Sequence, residues 1–416
     1  MKEYLLMIWN RFKKCSVLIK SLFILLILLY ISIIVICVYP VKVDSTLPGT
    51  VNNVSNVIDI NTENDTGSIY TVSIYSENKM SLLSYWLVSL DKNSDISLGE
   101  SISLSIFTEN EEYLSNVGYK KQSIQDSLII AYTYAYNQGY DVSLKHTYSG
   151  EYLIHIPQNL YKTGAENFKN SDIIIGYNDT KFTNSDDYYN SLNNIFTNII
   201  YEGKSVKQYK EEGKFEFYDE NNNKIQENIN LVFNLIDYMS SLTNTTYKFN
   251  VLRDNNEISI TPSMKMLFYI YSHFLLKEDK IYSVNQVNFS YFNINYSESN
   301  PKINISSSTS VGPSGGLMQT LAVYNAITKD DITKGLSIMG TGGIDLNGNA
   351  TSIGGEQQKI VTANLYEADL FFIPEENYES AKEMYDTIAN PTYDLISVSN
   401  FNDVLNYLNK LEVSNE

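Results

Sequence analysis

The chain has 416 residues, enough for two or three domains, and its 43% apolar and 13% aromatic content is that of a folded protein. With 48 Asp and Glu against 30 Lys and Arg, its net charge of -18 repels phosphate backbones and sets nucleic acid aside as a partner. The only cysteines, Cys15 and Cys37, lie near the N-terminus, so everything after them must be held by its core without disulfides.

Ser21–Tyr39 is a run without a charge, about 28 Å long as a helix and close to the roughly 30 Å of a bilayer's hydrocarbon. Lys2, Arg11, Lys13, Lys14 and Lys20 precede it against the single acid Glu3. The positive-inside bias therefore predicts a cytoplasmic N-terminus and an extracytoplasmic remainder after Pro40. A cleaved signal peptide is the alternative; its apolar region is usually shorter, and no small-x-small site follows Tyr39.

Val41 to about Asp65 is polar and reads as a tether. Ile69–Ile74 is β-branched and predicts a strand. Over Gln125–Asn137 the apolar residues Leu128, Tyr132, Ala135 and Tyr136 fall on one helical face, ended by Gly139. A strand is expected over Glu151–Ile156, and a helix over Ser185–Leu192 with Ser185 as cap and Asp186 and Asp187 in its first turn. Between them lie Gly164-Ala165-Glu166-Asn167 and Asn170–Ile175, followed by the turn Asn178-Asp179. This order resembles a PDZ domain, and Thr246–Thr261 resembles its closing hairpin with a tip at Asn255-Asn256. The small apolar loop that receives a peptide carboxylate is not found, and Lys204–Ser241 is longer than such a domain needs. It reads as an inserted hairpin plus helix, with Asp219–Asn223 a solvated loop.

The chemistry concentrates between Ser306 and Glu376. Gly312-Pro313-Ser314-Gly315-Gly316 precedes a run in which Leu317, Leu321 and Tyr324 mark one helical face, so a helix begins at or just after Ser314. Free amides and partial positive charge at such a terminus favour a serine alkoxide and a developing oxyanion, and the glycines allow close approach of a substrate carbonyl. Taken alone, the segment fits a capping serine equally. No Gly-Lys-Ser/Thr follows, so it is not a phosphate loop. Gly340-Thr341-Gly342-Gly343 then leads into a hairpin turning at Asn347-Gly348, and Ser352–Lys359 opens a helix through Tyr366. On that helix Lys359 has Gly355 four residues before it and Ala363 four after, small neighbours that suit a buried lysine with a lowered pKa. Asp345, Asn347, Asn349 and Glu356 imitate a calcium loop, but Ala350 occupies its glycine position and the hairpin accounts for them.

The run GPSGG, GTGGIDLNG, SIGGEQQK and DLFFIPEEN is similar to the proteolytic domain of the Lon family, and closest to a membrane-anchored bacterial branch that carries a PDZ domain. The strong likeness covers about Asn304–Asn377 and a weaker one Pro48–Thr261. It implies Ser314 as nucleophile, Lys359 as its general base and Thr341 as the lysine's contact, with Gly312 and Gly315 supporting. Val311 stands where many relatives have an acid, Gly315 where alanine is common and Gly343 where an acid is usual. The histidines His146, His155 and His273 lie outside the motifs and are expected to be structural.

The expected fold is α+β: tail and transmembrane anchor 1–40, linker 41–65, an extracytoplasmic N-terminal part 66–140, a PDZ-like domain with insertion 141–262, and a Lon-type proteolytic domain 263–416. The implied function is an ATP-independent membrane serine endopeptidase acting on protein or peptide substrates. It would use no cofactor, metal or nucleotide, and by family analogy it would assemble as a hexamer. Rival readings are a catalytically silent membrane scaffold and a protein that cuts only its own chain.

Overall fold

Helix α1 (Val17–Val38) satisfies its own backbone along its length, and the Ser16 side chain caps its start by accepting from the Ile19 amide. In this computed structural model the described residues are 9, 12–41, 43–60, 69–78, 80–98, 106–158, 167–215, 229–277, 280–306, 311–328 and 331–411. They divide into two compact units, one drawn from 1–49 and 74–101, the other from 50–73 and 102–416.

In chain order α1 is followed by β1 (Val43–Asn53), β2 (Ile58–Ile60), β3 (Ile69–Asn78), α2 (Leu82–Val88), β4 (Asp95–Leu98) and α3 (Glu109–Asn137). The middle of the chain holds β5 (His146–Leu153), β6 (Ile173–Tyr177), β7 (Thr180–Lys181), α4 (Ser185–Asn198), β8 (Ile200–Tyr201), β9 (Lys204–Ser205), α5 (Val206–Glu211) and α6 (Ile229–Ser241). Then come β10 (Phe249–Arg253), β11 (Asn256–Ile260), α7 (Met264–Ser272), β12 (Phe274–Lys277), β13 (Lys280–Ser283), β14 (Asn288–Ile294) and β15 (Ile303–Ile305). The chain closes with α8 (Gly316–Ile327), β16 (Ile338–Gly340), β17 (Gly343–Ile344), β18 (Ala350–Thr351), α9 (Glu356–Leu365), β19 (Leu370–Pro374), α10 (Glu375–Tyr385), β20 (Asp394–Val398) and α11 (Phe401–Lys410). The architecture is mixed α+β, as expected.

In the smaller unit Val43–Thr46 of β1 pair antiparallel with β4. The larger unit is built on two sheets. One runs β20-β19-β16-β3-β1, parallel from β3 to β20, with α9 and α10 making the crossovers that parallel strands require. Its strand β19 is buried throughout, with Phe371 and Phe372 fully inside. The other sheet is antiparallel in the order β11-β10-β6-β5-β14, with β7 on β6. Helices α4, α6 and α7 share one core with this sheet. Helix α3 packs along α8 and also reaches β14. It thereby touches both the second sheet and the helix that follows Ser314.

Several expectations shift on inspection. Val41–Asp65 is not merely a tether, because β1 and β2 lie within it. The helix at Gln125 begins sixteen residues earlier, at Glu109, where Thr108 and Glu111 form a capping box. Its buried face is Leu128, Ala131, Tyr132 and Ala135, whereas Tyr136 points to solvent. The strand expected at Glu151–Ile156 ends at Leu153 and starts at His146. Asn184, not Ser185, caps α4 by accepting from the Asp187 amide. The β10–β11 turn sits one residue before the expected tip, on Asp254 and Asn255 with φ of 50° and 63°, the left-handed pair that a tight hairpin demands. Arg253 anchors that hairpin with two bonds to the buried Asp172 carboxylate, at 2.8 and 2.7 Å. Gly164–Glu166 and Asp219–Asn223 lie outside the described residues.

Candidate active site

Every residue of α8 is buried, so the helix is fixed on all sides and the turn before it inherits that rigidity. Gly315 is the N-cap residue of α8 and no side chain caps it, which removes the reading of Ser314 as a capping serine. Gly312 has φ 92°, a conformation that favours glycine, and its amide donates to the Asn116 carbonyl of α3 at 3.1 Å. The Ser123 hydroxyl of α3 lies 3.1 Å from both the Pro313 carbonyl and Gln319 Oε1. Ser127, one turn on, donates to the Gly316 carbonyl at 2.9 Å. The Gly316 amide closes the turn onto Pro313 at 3.1 Å.

The second glycine segment ties in from the other side. The Thr341 amide continues β16 by donating to the Phe372 carbonyl at 3.0 Å. The Gly342 amide donates to the Ser314 carbonyl at 2.8 Å, and the Leu317 amide donates back to the Gly342 carbonyl at 3.0 Å. The Thr341 hydroxyl also donates to the Ser314 carbonyl, at 3.1 Å. Two donors from one segment therefore hold the backbone of the serine.

Lys359 stands in the first turn and a half of α9, whose N-cap Gly355 has φ 69°. The lysine is only 2% exposed, and its Nζ donates to Thr341 Oγ1 at 3.0 Å in a buried contact. Burial pulls its pKa from the usual 10.5 to about 8, with the nearby Glu356 carboxylate acting in the opposite direction. Glu356 itself accepts from the Ser380 hydroxyl at 2.8 Å. Asn377 holds the loop before α9 by accepting from the Ile353 amide at 2.9 Å and donating to the Ile353 carbonyl at 2.8 Å.

Ser314, Thr341 and Lys359 are thus brought into one hydrogen-bonded chain, and Gly312 and Gly315 flank the serine. A Cβ on Gly315 would lie 3.1 Å from both Thr71 Cγ2 and Gln319 Nε2, close enough that one of these side chains would have to give by a few tenths of an ångström. A Cβ on Gly343 would come within 2.1 Å of Thr351 Oγ1, so a side chain there requires the Thr351 hydroxyl to turn away. Val311 is exposed. In the β17–β18 turn the Asp345 carboxylate accepts from the amides of Asn347 and Asn349 and from the Asn349 side chain, which accounts for the calcium-loop pattern as hairpin chemistry. His155 lies against Phe107 and Tyr119 with Nδ1 beside the Gln286 carbonyl, His146 stacks edge-on with Phe292, and His273 ends α7 in a left-handed conformation. Sequence reasoning missed Ser123, Ser127 and Gln319. The available signal was a pair of hydroxyls four residues apart, Ser123 and Ser127, just before the apolar face that starts at Leu128.

A serine on a tight turn, backed by a buried lysine of lowered pKa, has the components of an acyl-transfer site. Residues 296–410 match the family model of the Lon protease (S16) C-terminal proteolytic domain, so this part of the chain carries a Lon-type proteolytic domain. The Lon protease of Aster yellows witches'-broom phytoplasma is 39% identical over 93 residues, 22% of this chain and 11% of that protein. Lon protease of Campylobacter jejuni is 32% identical over 98 residues, 23% of this chain and 12% of the relative. That of Rickettsia felis is 32% identical over 96 residues, again 23% and 12%. The chain therefore spans only about an eighth or less of the curated relatives it matches.

Proposed function

We propose that the chain is a membrane-anchored serine endopeptidase that works without ATP, with Ser314 as nucleophile and Lys359 as general base. The observation that carries this reading is the buried contact of Lys359 with Thr341, whose hydroxyl also holds the Ser314 carbonyl. Neutral Lys359 accepts the Ser314 proton as Ser314 Oγ attacks a peptide carbonyl; the lysine then gives that proton to the departing amine. Water cleaves the acyl-enzyme with Lys359 again as base. Thr341 orients the amine and fixes the serine's backbone. The amides of Gly316 and Leu317 are already spent on Pro313 and Gly342, whereas among the described residues those of Ser314 and Gly315 donate to no protein acceptor. These two are the donors available to an oxyanion.

The resemblance to Lon protease supports proteins or peptides as substrates, and a hexameric ring is the assembly that analogy suggests. Helix α1, 22 residues and about 33 Å long, has the length and composition of a membrane span and lies behind basic residues, which supports an anchor with the catalytic unit outside. The β5–β6–β10–β11 sheet with α4 is compatible with a PDZ-like scaffold. The outer edge of β14 is closed, because the Gln125 side chain donates to the Ser290 carbonyl at 3.0 Å and accepts from the Phe292 amide at 2.8 Å. Strand addition by a peptide at that edge is not expected.

The deciding experiment follows cleavage of an unstructured protein by the full chain in detergent or bilayer. Ser314→Ala and Lys359→Ala each abolish turnover while the fold is kept, and a peptide boronate is captured at Ser314 in the parent. Normal turnover by folded Lys359→Met overturns the lysine as base. A parent chain that neither cleaves nor captures the boronate is the silent scaffold instead.

A further inference from the structure

Helix α2 has an unusual composition for a surface element. Its sequence, LLSYWLV, is apolar on every side except Ser84, and none of its residues is buried. Trp86 is 58% exposed, Leu87 53% and, just beyond the helix, Leu90 68%. No charge occurs from Met80 to Leu90. An apolar patch of this kind in water marks a contact surface.

Its position says what it contacts. The Leu82 amide, the first of α2, donates to the carbonyl of Tyr39, the residue that ends α1, at 2.9 Å. The Val41 amide donates to the Met80 carbonyl at 2.8 Å, Pro40 and Ser81 form a bridge, and α2 packs against α1. A helix of seven residues is about 10 Å long, so no part of α2 strays far from the end of α1. The polar layer of a bilayer is roughly 5–8 Å thick on each side, and tryptophan and tyrosine concentrate there beside leucine that enters the acyl boundary.

We infer that α2 is an interfacial helix, seated on the lipid surface where the chain leaves the membrane after Val38. The proposal rests on the reading of α1 as a span. The span and α2 would then form a two-point attachment that limits how the chain can tilt where it leaves the bilayer.

Trp9 and Trp86 are the chain's two tryptophans. A Trp9→Phe variant of the full chain, reconstituted in phosphatidylcholine vesicles, therefore reports on Trp86 alone. We expect blue-shifted emission, most of it lost when lipids brominated high on the acyl chain are used, and little loss to aqueous iodide. Quenching by iodide without quenching by brominated lipid overturns the inference, and so does protection from both, which would mean that protein covers α2. A control with Leu28→Trp as sole tryptophan tests the span itself. Quenching there by deeply brominated lipid, with none at Trp86, leaves the anchor standing and removes only the interfacial helix; no quenching at either site removes both.

Discussion

At Lys359 burial lowers the pKa, and the Glu356 carboxylate nearby works against that shift without cancelling it. With a pKa of about 8 the amine is largely protonated at pH 7 and becomes a base as pH rises through that value. The rate of acylation is therefore expected to climb with a midpoint near pH 8, measured as kcat/KM on a fluorogenic peptide. Thr341→Val removes the acceptor beside Nζ, which penalises the ammonium more than the neutral amine. Its midpoint should fall below that of the parent while turnover drops, and an unmoved midpoint would take Thr341 out of the lysine's environment. Stability follows by linkage. Between about pH 8 and 10.5 the unfolded chain holds a proton that the folded lysine has released, so stability rises with pH across that window. Below pH 8 the full penalty, on the order of 3 kcal/mol, is present. Lys359→Met removes it and should be the more stable protein at pH 7 by up to about that amount, with the gain gone above pH 10.5 in denaturant titrations.

Among the elements, α3 is the one that the sequence revealed least. Apolar spacing marks only its second half, because the residues from Glu109 to Gln125 are mostly polar and their buried side chains Glu111, Ser115, Ser123 and Gln125 are inside making hydrogen bonds. Hydrophobic periodicity cannot register a helix face chosen for its donors. The glycine-rich turn, the hairpin at Gly348 and the start of α8 were legible because each depends on local residue chemistry. How the two turns meet depends on hydrogen bonds between distant segments, and those carried no local signal. Ser123 tests the point. Ser123→Ala leaves the Pro313 carbonyl its bond from the Gly316 amide but loosens the turn from α3. One lost hydrogen bond is worth about 1 kcal/mol, so a fall of about fivefold in kcat is expected, with the pH midpoint unchanged and activity restored by Ser123→Thr. A shifted midpoint would mean that Ser123 acts on Lys359 and not on the turn.

For the whole molecule, the site as proposed is a chemical device without a mechanical one. A folded domain is held by about 5–15 kcal/mol, and threading its backbone to Ser314 requires that energy from some source. If the enzyme draws on no nucleotide, only the spontaneous unfolding of the substrate can supply it. Where opening and closing of the substrate outpace cleavage, the rate tracks the open fraction. In a series of point variants of one small substrate domain, the cleavage rate should then fall about tenfold for every 1.4 kcal/mol of substrate stability. Added ATP should leave that slope unchanged. A rate that ignores substrate stability, or one that ATP raises for the stable members alone, would show that an unfolding motor acts on this chain's substrates and would overturn the ATP-independent reading while leaving Ser314 and Lys359 in place.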